Sequence, residues 1–345
     1  MKISKIYANK EEFKTITFDK GINFILSSNN GVGKTSLFKL IDFCLLGDKS
    51  FLSNEHFKDY IFYIELQIAS NRYITIKRPI AGGKNIELKI TKQKSLLLLE
   101  KEFNKKGSLS IAKSFFENKV NYSINKFRTY ITYFLRDETN QNDTFILNKF
   151  KNAHEVEYKT LVSNLLGIDG RKIKRKYDLE KSDDNAQELE KVIEENKTLD
   201  SSLFIEKLKI SIGKYGKMIL NIDVDFLVNF NSSNDIEFTL KVEKENMQDS
   251  YVNKLLCFIW SSALAENYVQ KRLIKFVAFD APFNKEQNNY EEGIYNAIHE
   301  LHRKGIQTII TSNKDDITNT ETLEEIENDY LTGYLSENDK LMGEF

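Results

Sequence analysis

The chain has 345 residues, 41% hydrophobic and 29% charged, which suits one large α/β domain with an insertion or two modest domains and excludes a disordered polymer. Lys+Arg 50 against Asp+Glu 51 leaves a net charge of −1, so no global field draws the chain to nucleic acid, and any DNA contact needs a local patch. Cys44 and Cys257 lie in apolar helical context and imply no disulfide framework; with no apolar leader in MKISKIYANKEEFK and no run of about 18 apolar residues, the expectation is a cytoplasmic protein without a membrane span.

Residues 2–8 and 14–28 read as strands, with Phe13, Ile16, Phe18, Ile22, Phe24 and Leu26 spaced for a sheet and a turn at Lys20-Gly21. A helix follows from Lys34 to about Leu46, its apolar face made by Leu37, Leu40, Ile41 and Leu45. Residues 60–92 alternate as an antiparallel meander, and residues 109–135 look helical before the polar turn RDETNQND. A short helix over 155–167 stops at Gly167. The stretch 171–217 is highly charged and reads either as a short helical hairpin or as a solvated linker. Strands at 218–230 and 235–243 come next, then a helix at 250–268, an apolar strand from Leu273 to Phe279, a helix over 288–304 and a last strand from Gln307 to Thr311. The expected division is 1–170 and 218–345 as two halves of one head, with 171–217 as a helical insertion between them.

The segment SSNNGVGKTS joins a strand to an amphipathic helix in P-loop register, from Ser28 through Thr35. Phosphate binding there needs successive backbone N–H groups wrapped around the β-phosphate, and glycines let the backbone come close. Asn30, Gly31, Val32, Gly33 and Ser36 frame that cradle, Lys34 is expected to reach the β- and γ-phosphates, and the Thr35 hydroxyl to ligate Mg²⁺. Ser28 stands where the motif has its first glycine. Far along the chain, RLIKFVAFDAP is an apolar strand ending in Asp280, whose carboxylate at the strand's carboxyl end would hold Mg²⁺ through water. The cofactors implied are ATP and Mg²⁺.

A P-loop near the start and such an aspartate strand near the end, with an insertion between, resemble the heads of SMC, RecF and RecN proteins. FKTITFDKGINFILSSNNGVGKTSLFKLIDFCLLG, FRTYITYFLRDE and LVSNLLGID look like a bacterial branch of SMC-like AAA-family ATPases found in multi-gene anti-phage and mobile-element loci. The resemblance covers most of residues 12–48, 125–170 and 250–316, with the P-loop its specific part. It implies an α/β fold of ABC/SMC head type: a mixed parallel core sheet, an added antiparallel sheet and a short helical, coiled-coil-like insertion. It also implies a homodimer on ATP binding, an effector protein encoded nearby and no membrane.

Three departures from the family pattern bear on turnover. The glutamate that follows the strand-end aspartate and polarises the attacking water is replaced by Ala281, and loss of such a base costs on the order of 10²–10⁴ in rate. The glycine-bearing signature loop becomes Ser250-Tyr251-Val252-Asn253-Lys254, where Ser250 either meets a partner's γ-phosphate or merely caps the helix. The switch histidine becomes Asn313, which hydrogen-bonds but carries no proton at neutral pH. Glu138, with Gln141 as runner-up, is the candidate for the residue that senses metal and water, and Glu138 is also a candidate metal ligand. Arg136 reaches phosphate or forms a surface ion pair. Glu286 is a candidate substitute carboxylate or a solvated loop residue.

The densest basic patch is Arg171, Lys172, Lys174, Arg175 and Lys176, placed for weak, salt-sensitive DNA contact or for pairing with the acidic stretch that follows. The histidines, His56, His154, His299 and His302, are scattered, and no zinc site is expected. Three readings compete: an ATP-driven dimerisation switch with slow or partner-dependent hydrolysis, a competent DNA-repair-type ATPase, and a non-hydrolysing scaffold for a toxin or nuclease.

Overall fold

A computed structural model describes residues 1–47, 57–81, 86–91, 106–107, 124–147, 150, 154–180, 203–231, 235–242, 249–268 and 274–342. The chain forms two compact units, Met1–Glu138 with Tyr268–Phe345, and Thr139–Asn267. The boundaries fall elsewhere than the expected 1–170, 171–217 and 218–345.

The first unit holds two sheets. In one, β1 (Lys2–Ala8), β2 (Ile16–Thr17), β4 (Ile61–Ala69), β5 (Arg72–Pro79), β6 (Ile86–Thr91) and β7 (Lys106–Gly107) pair antiparallel in the order β2-β1-β4-β5-β6-β7. In the other, β13 (Leu331–Leu335), β3 (Ile22–Ser27), β12 (Gln307–Asn313), β11 (Phe276–Asp280) and β8 (Leu135–Arg136) pair parallel in that order. Every residue of β3 and β11 is buried, as expected of parallel strands covered on both faces. Helix α1 (Lys34–Cys44) packs against both sheets, with Leu37, Phe38, Leu40, Ile41 and Phe43 in the core and Phe43 edge-on to Phe62. Gln307, fully buried, ties the sheets together: its Nε2 donates to the carbonyls of Ile3 and Asp19, and its Oε1 accepts from the Ile3 amide.

The carboxyl end of α1 carries two arginines. Arg78 donates to the carbonyls of Phe43 and Gly47 and lies over the Phe43 ring. Arg128, on α2 (Ile124–Ile131), donates to the Leu45 carbonyl at 3.2 Å and pairs with Asp42. Cations there satisfy carbonyls that the helix leaves open and complement its dipole. The helix expected over 109–135 is seen as α2 alone; residues 108–123 lie outside the described ones, and Leu135 already belongs to β8.

The second unit is mainly helical: α3 (Glu155–Leu165), α4 (Gly170–Glu180), α5 (Leu203–Leu220) and α6 (from Ser250 to Tyr268), with the hairpin β9 (Val224–Phe230) and β10 (Ile236–Val242). Trp260 is its largest buried side chain, edge-on to Phe145 and Phe226. The charged stretch is helical at its two described ends, which agrees with the helical one of its two readings and not with the solvated linker. Residues 203–217 belong to a longer helix whose Ile205, Leu208, Ile212, Tyr215 and Ile219 are buried, so this part packs as core rather than as a solvated insertion, and it displaces the strand expected from 218. Residues 181–202, the rest of that stretch, lie outside the described ones.

The basic patch also changes meaning. Lys176 is 2% exposed and ion-paired with Asp235, which removes it from any surface that phosphates could reach. Arg171 is clamped by both oxygens of Asp169, at 2.9 and 2.8 Å. Lys174 and Arg175 remain on the exposed face of α4.

Candidate functional site

β3, β12 and β11 end side by side. Ser27 of β3 lies in register with Asn313 of β12, and Thr311 of β12 with Asp280 of β11. The side chains expected to handle phosphate and metal thus reach the carboxyl edge of one parallel sheet, where ligands of open α/β folds bind.

The turn between β3 and α1 explains the P-loop sequence. Gly31 and Gly33 have φ of 82° and 108°, the left-handed region that glycine enters without steric cost. A side chain at Gly33 would also come within 2.8 Å of Leu341 Cβ. Ser28 is not among the positive-φ residues, so its backbone conformation does not call for a glycine at this position of the motif. Asn30 and Gly31 are exposed, Val32 is buried, and Ser36 is half-buried on the first turn of α1.

Lys34 is 8% exposed and donates to the Asn29 carbonyl at 3.0 Å, to Asn313 Oδ1 at 2.6 Å and to Ser27 Oγ. Burial lowers its affinity for a proton, while the charges of Asp280 and Asp316 act in the opposite sense. Thr35 Oγ1 donates to Asp280 Oδ2 at 2.7 Å, and Thr311 Oγ1 donates to the other carboxylate oxygen. Thr35 and Asp280, the two expected metal ligands, therefore stand within one hydrogen bond of each other. Among the described residues no group of three or more His, Cys, Asp or Glu forms an all-protein cage. The pair fits Mg²⁺, which keeps waters and takes phosphate oxygens beside one or two protein ligands.

Asn313 is the hub between the strands. Its Oδ1 accepts from Lys34, with Ser27 Oγ 3.1 Å away, and its Nδ2 donates to Asn30 Oδ1 at 3.2 Å and to Asp316 Oδ2 at 2.9 Å. Ala281, in the glutamate's place, has φ 48° and donates its N–H to the Thr311 carbonyl at 2.9 Å. A non-glycine residue in that region is strained, and its Cβ leaves the strand end in a different direction from that of an extended residue.

The remaining candidates fall in both units. Arg136 is fully buried on β8, in register with Phe279 and beside the Tyr133 ring, which corrects the surface ion-pair reading. That register carries Glu138 to the edge where Asp280 ends, on an exposed 3₁₀ turn. Gln141 is buried in the second unit, where its carbonyl accepts from the Cys257 thiol. Glu286 lies exposed on a 3₁₀ turn capped by Asn284. Ser250 is exposed at the start of α6, and the capping role, one of its two readings, belongs to Asp249, whose Oδ1 accepts from the Tyr251 amide at 2.9 Å.

Several working residues escaped the sequence reading. Glu291, at the start of α7 (Glu291–Arg303), is 5% exposed; it accepts from the Thr318 amide and hydroxyl and from the Asn319 amide, holding the loop after β12. The segment after β13 braces the P-loop: the Leu341 amide donates to the Val32 carbonyl at 3.3 Å, and Asn29 Nδ2 donates to Glu337 Oε1 at 2.9 Å. A glutamate in a first helical turn is a common sequence feature and signalled nothing; β13 lies beyond the last strand expected.

The model of the AAA-domain family matches residues 3–211, more than half of the 345. No curated protein matches the chain in sequence. Among solved structures, an Smc head bound to the C-terminal winged-helix domain of ScpA is similar at TM-score 0.53 and 15% identity, over 92% of this chain and 91% of that one. The Smc head of Pyrococcus yayanosii with coiled coil and joint aligns at TM-score 0.53 and 11% identity, over 92% of each chain. The Smc head of Pyrococcus furiosus with an extended coiled coil, bound to the C-terminal domain of ScpA, aligns at 0.52 and 14%, over 92% and 90%. At these identities the likeness is one of fold. The chain belongs to the AAA-domain family and has the P-loop head fold seen in SMC proteins.

Proposed function

We propose that this chain is an ATP–Mg²⁺-binding, SMC/RecF-like head that acts as an ATP-dependent dimerisation switch in a DNA-related or anti-phage role, with slow or partner-dependent hydrolysis. The observation that carries the reading is the meeting of Lys34, the Thr35–Asp280 pair and Asn313 at the ends of β3, β12 and β11, with Ala281 where a catalytic glutamate would stand. Lys34 and the backbone of Gly31 and Gly33 bind the phosphates. Thr35 and Asp280 hold the Mg²⁺, which when bound neutralises charge on the β- and γ-phosphates. Asn313 hydrogen-bonds at the γ-phosphate but takes no proton. Glu138 and Ser250 are the further groups proposed to act there, Glu138 from its turn beyond β8 and Ser250 from a second copy. A switch of this kind works only if ATP binds the dimer more tightly than the monomer. Two of the similar heads are seen with a ScpA domain, and by analogy we assign this head an effector protein as partner.

The test is mass by light scattering with and without the β,γ-imido analogue of ATP and Mg²⁺, for the unsubstituted chain and for Lys34→Ala. Doubling of the mass only in the chain with Lys34 is the expected result; unchanged mass at saturating analogue defeats the switch. ATP turnover near or above about 1 s⁻¹ for the chain alone defeats the claim of slow hydrolysis.

A further inference from the structure

The turn after β12 carries a carboxylate that the site as derived does not use. Asp316 Oδ2 accepts from Asn313 Nδ2 at 2.9 Å, and the same amide nitrogen reaches Asn30 Oδ1 at 3.2 Å. The opposite edge of the amide, Oδ1, accepts from Lys34 at 2.6 Å. The neighbours themselves determine which edge is which. An ammonium only donates and an ionised carboxylate only accepts, so turning the amide over would set donor against donor and acceptor against acceptor. Asn313 therefore shows an acceptor to the phosphate-binding lysine and keeps its donors for Asp316 and Asn30.

A γ-phosphate is also an acceptor. At Lys34 it meets the oxygen edge of Asn313, and it gains a hydrogen bond from that side chain only if the nitrogen edge leaves Asp316. We infer that Asp316 competes with the third phosphate of a bound nucleotide for the amide N–H groups of Asn313, and that it thereby sets how strongly the site prefers a nucleoside triphosphate over a diphosphate. This rests on the proposed ATP reading of the same site. Asp316 is a positioning residue: it acts through Asn313 and touches no phosphate itself. The turn is held at both ends, by Lys314 paired with Glu327 and by Glu291 on Thr318 and Asn319, so the competition is confined to Asp316 and the amide. The reach of the Asp316 charge to Lys34 agrees with this placement, since it is among the charges that favour the protonated lysine.

Calorimetric titration of the full chain with the imido analogue of ATP and, separately, with ADP, both with Mg²⁺, tests the inference without depending on turnover. Asp316→Ala should tighten the triphosphate analogue about tenfold and leave ADP within about twofold, the size of one partly exposed charge-assisted hydrogen bond. Asp316→Asn, which keeps the volume, should shift the ratio the same way, and Asp316→Glu should hold it near that of the unsubstituted chain. In an Asn313→Ala background, Asp316→Ala should no longer change the ratio. An unchanged ratio in Asp316→Ala and Asp316→Asn overturns the inference. So does a shift that persists without Asn313, which would mean direct repulsion between the carboxylate and the phosphate. An unsubstituted chain that binds neither nucleotide defeats the proposed function and this inference with it; one that binds both, with the ratio insensitive to Asp316, defeats this inference alone.

Discussion

Lys34 and Ala281 set the chemistry of the site from opposite sides. Among the described residues, Lys34 is the side chain that hydrogen-bonds Asn313 and carries the positive charge a β,γ-phosphate pair needs. Lys34→Ala is expected to weaken ATP binding at least about a hundredfold, roughly 3 kcal/mol, because a charged hydrogen-bond partner is lost in a partly desolvated crevice; equilibrium titration with a fluorescent ATP analogue checks it. Ala281 raises a different point. Its φ of 48° is a conformation glycine adopts more easily, so Ala281→Gly should raise unfolding stability by about 0.5–1 kcal/mol in urea denaturation. The same strain means that a glutamate placed at 281 would not automatically direct its carboxylate at a γ-phosphate.

Two elements position that chemistry, α1 and α7. The carboxyl end of α1 rests on Arg78, which is 6% exposed and serves two carbonyls. Arg78→Ala strips both and leaves them buried, so a stability loss of about 2–4 kcal/mol is expected, together with weaker nucleotide binding as the helix behind Lys34 loosens; thermal melting and ATP titration of the variant measure the two effects. On α7, burial lowers the affinity of His299 for a proton below that of an ordinary imidazole, opposed by Glu325 and reinforced by His302 and Arg303. The unfolded chain then binds the proton more readily than the folded one. Stability should therefore be unaffected above the ordinary imidazole pKa of 6.5 and should fall as pH drops from there through the lower folded value. His299→Phe should flatten that part of the stability–pH curve; a slope equal to that of the unsubstituted chain would show that another group carries it.

For the molecule as a whole, the two units depend on different interactions. The second unit pairs the buried Lys176 with the partly exposed Asp235, and Lys176→Met should destabilise it by about 1–3 kcal/mol because it leaves a half-buried carboxylate without its cation. Lys174→Ala, at an exposed position, should be nearly neutral in melting, yet it is the change to watch in DNA binding. If α4 contacts phosphates, Lys174→Ala combined with Arg175→Ala should reduce the salt slope of DNA binding by about 2; an unaltered slope removes α4 from the interface.

Much of the head was legible in the amino-acid sequence, because the signals concerned are local. The period-2 run at 61–79, the P-loop glycines, the helix of α6 and the apolar strand ending in Asp280 each depend on neighbouring residues alone, and each stands where expected. What the sequence could not determine is which side chains meet across the sheet. That Asn313 joins Lys34 to Asp316, that Thr35 bonds Asp280, that β13 pairs with β3 and that Leu341 bars a side chain at Gly33 all follow from strand order and register. Lys176 and the helix at 203–220 show the converse: a charged stretch reads as solvated until its apolar face finds a core and its lysine a carboxylate 59 positions away. Contacts across such separations exist only once the chain has closed its long loops, and local residue patterns do not encode that closure.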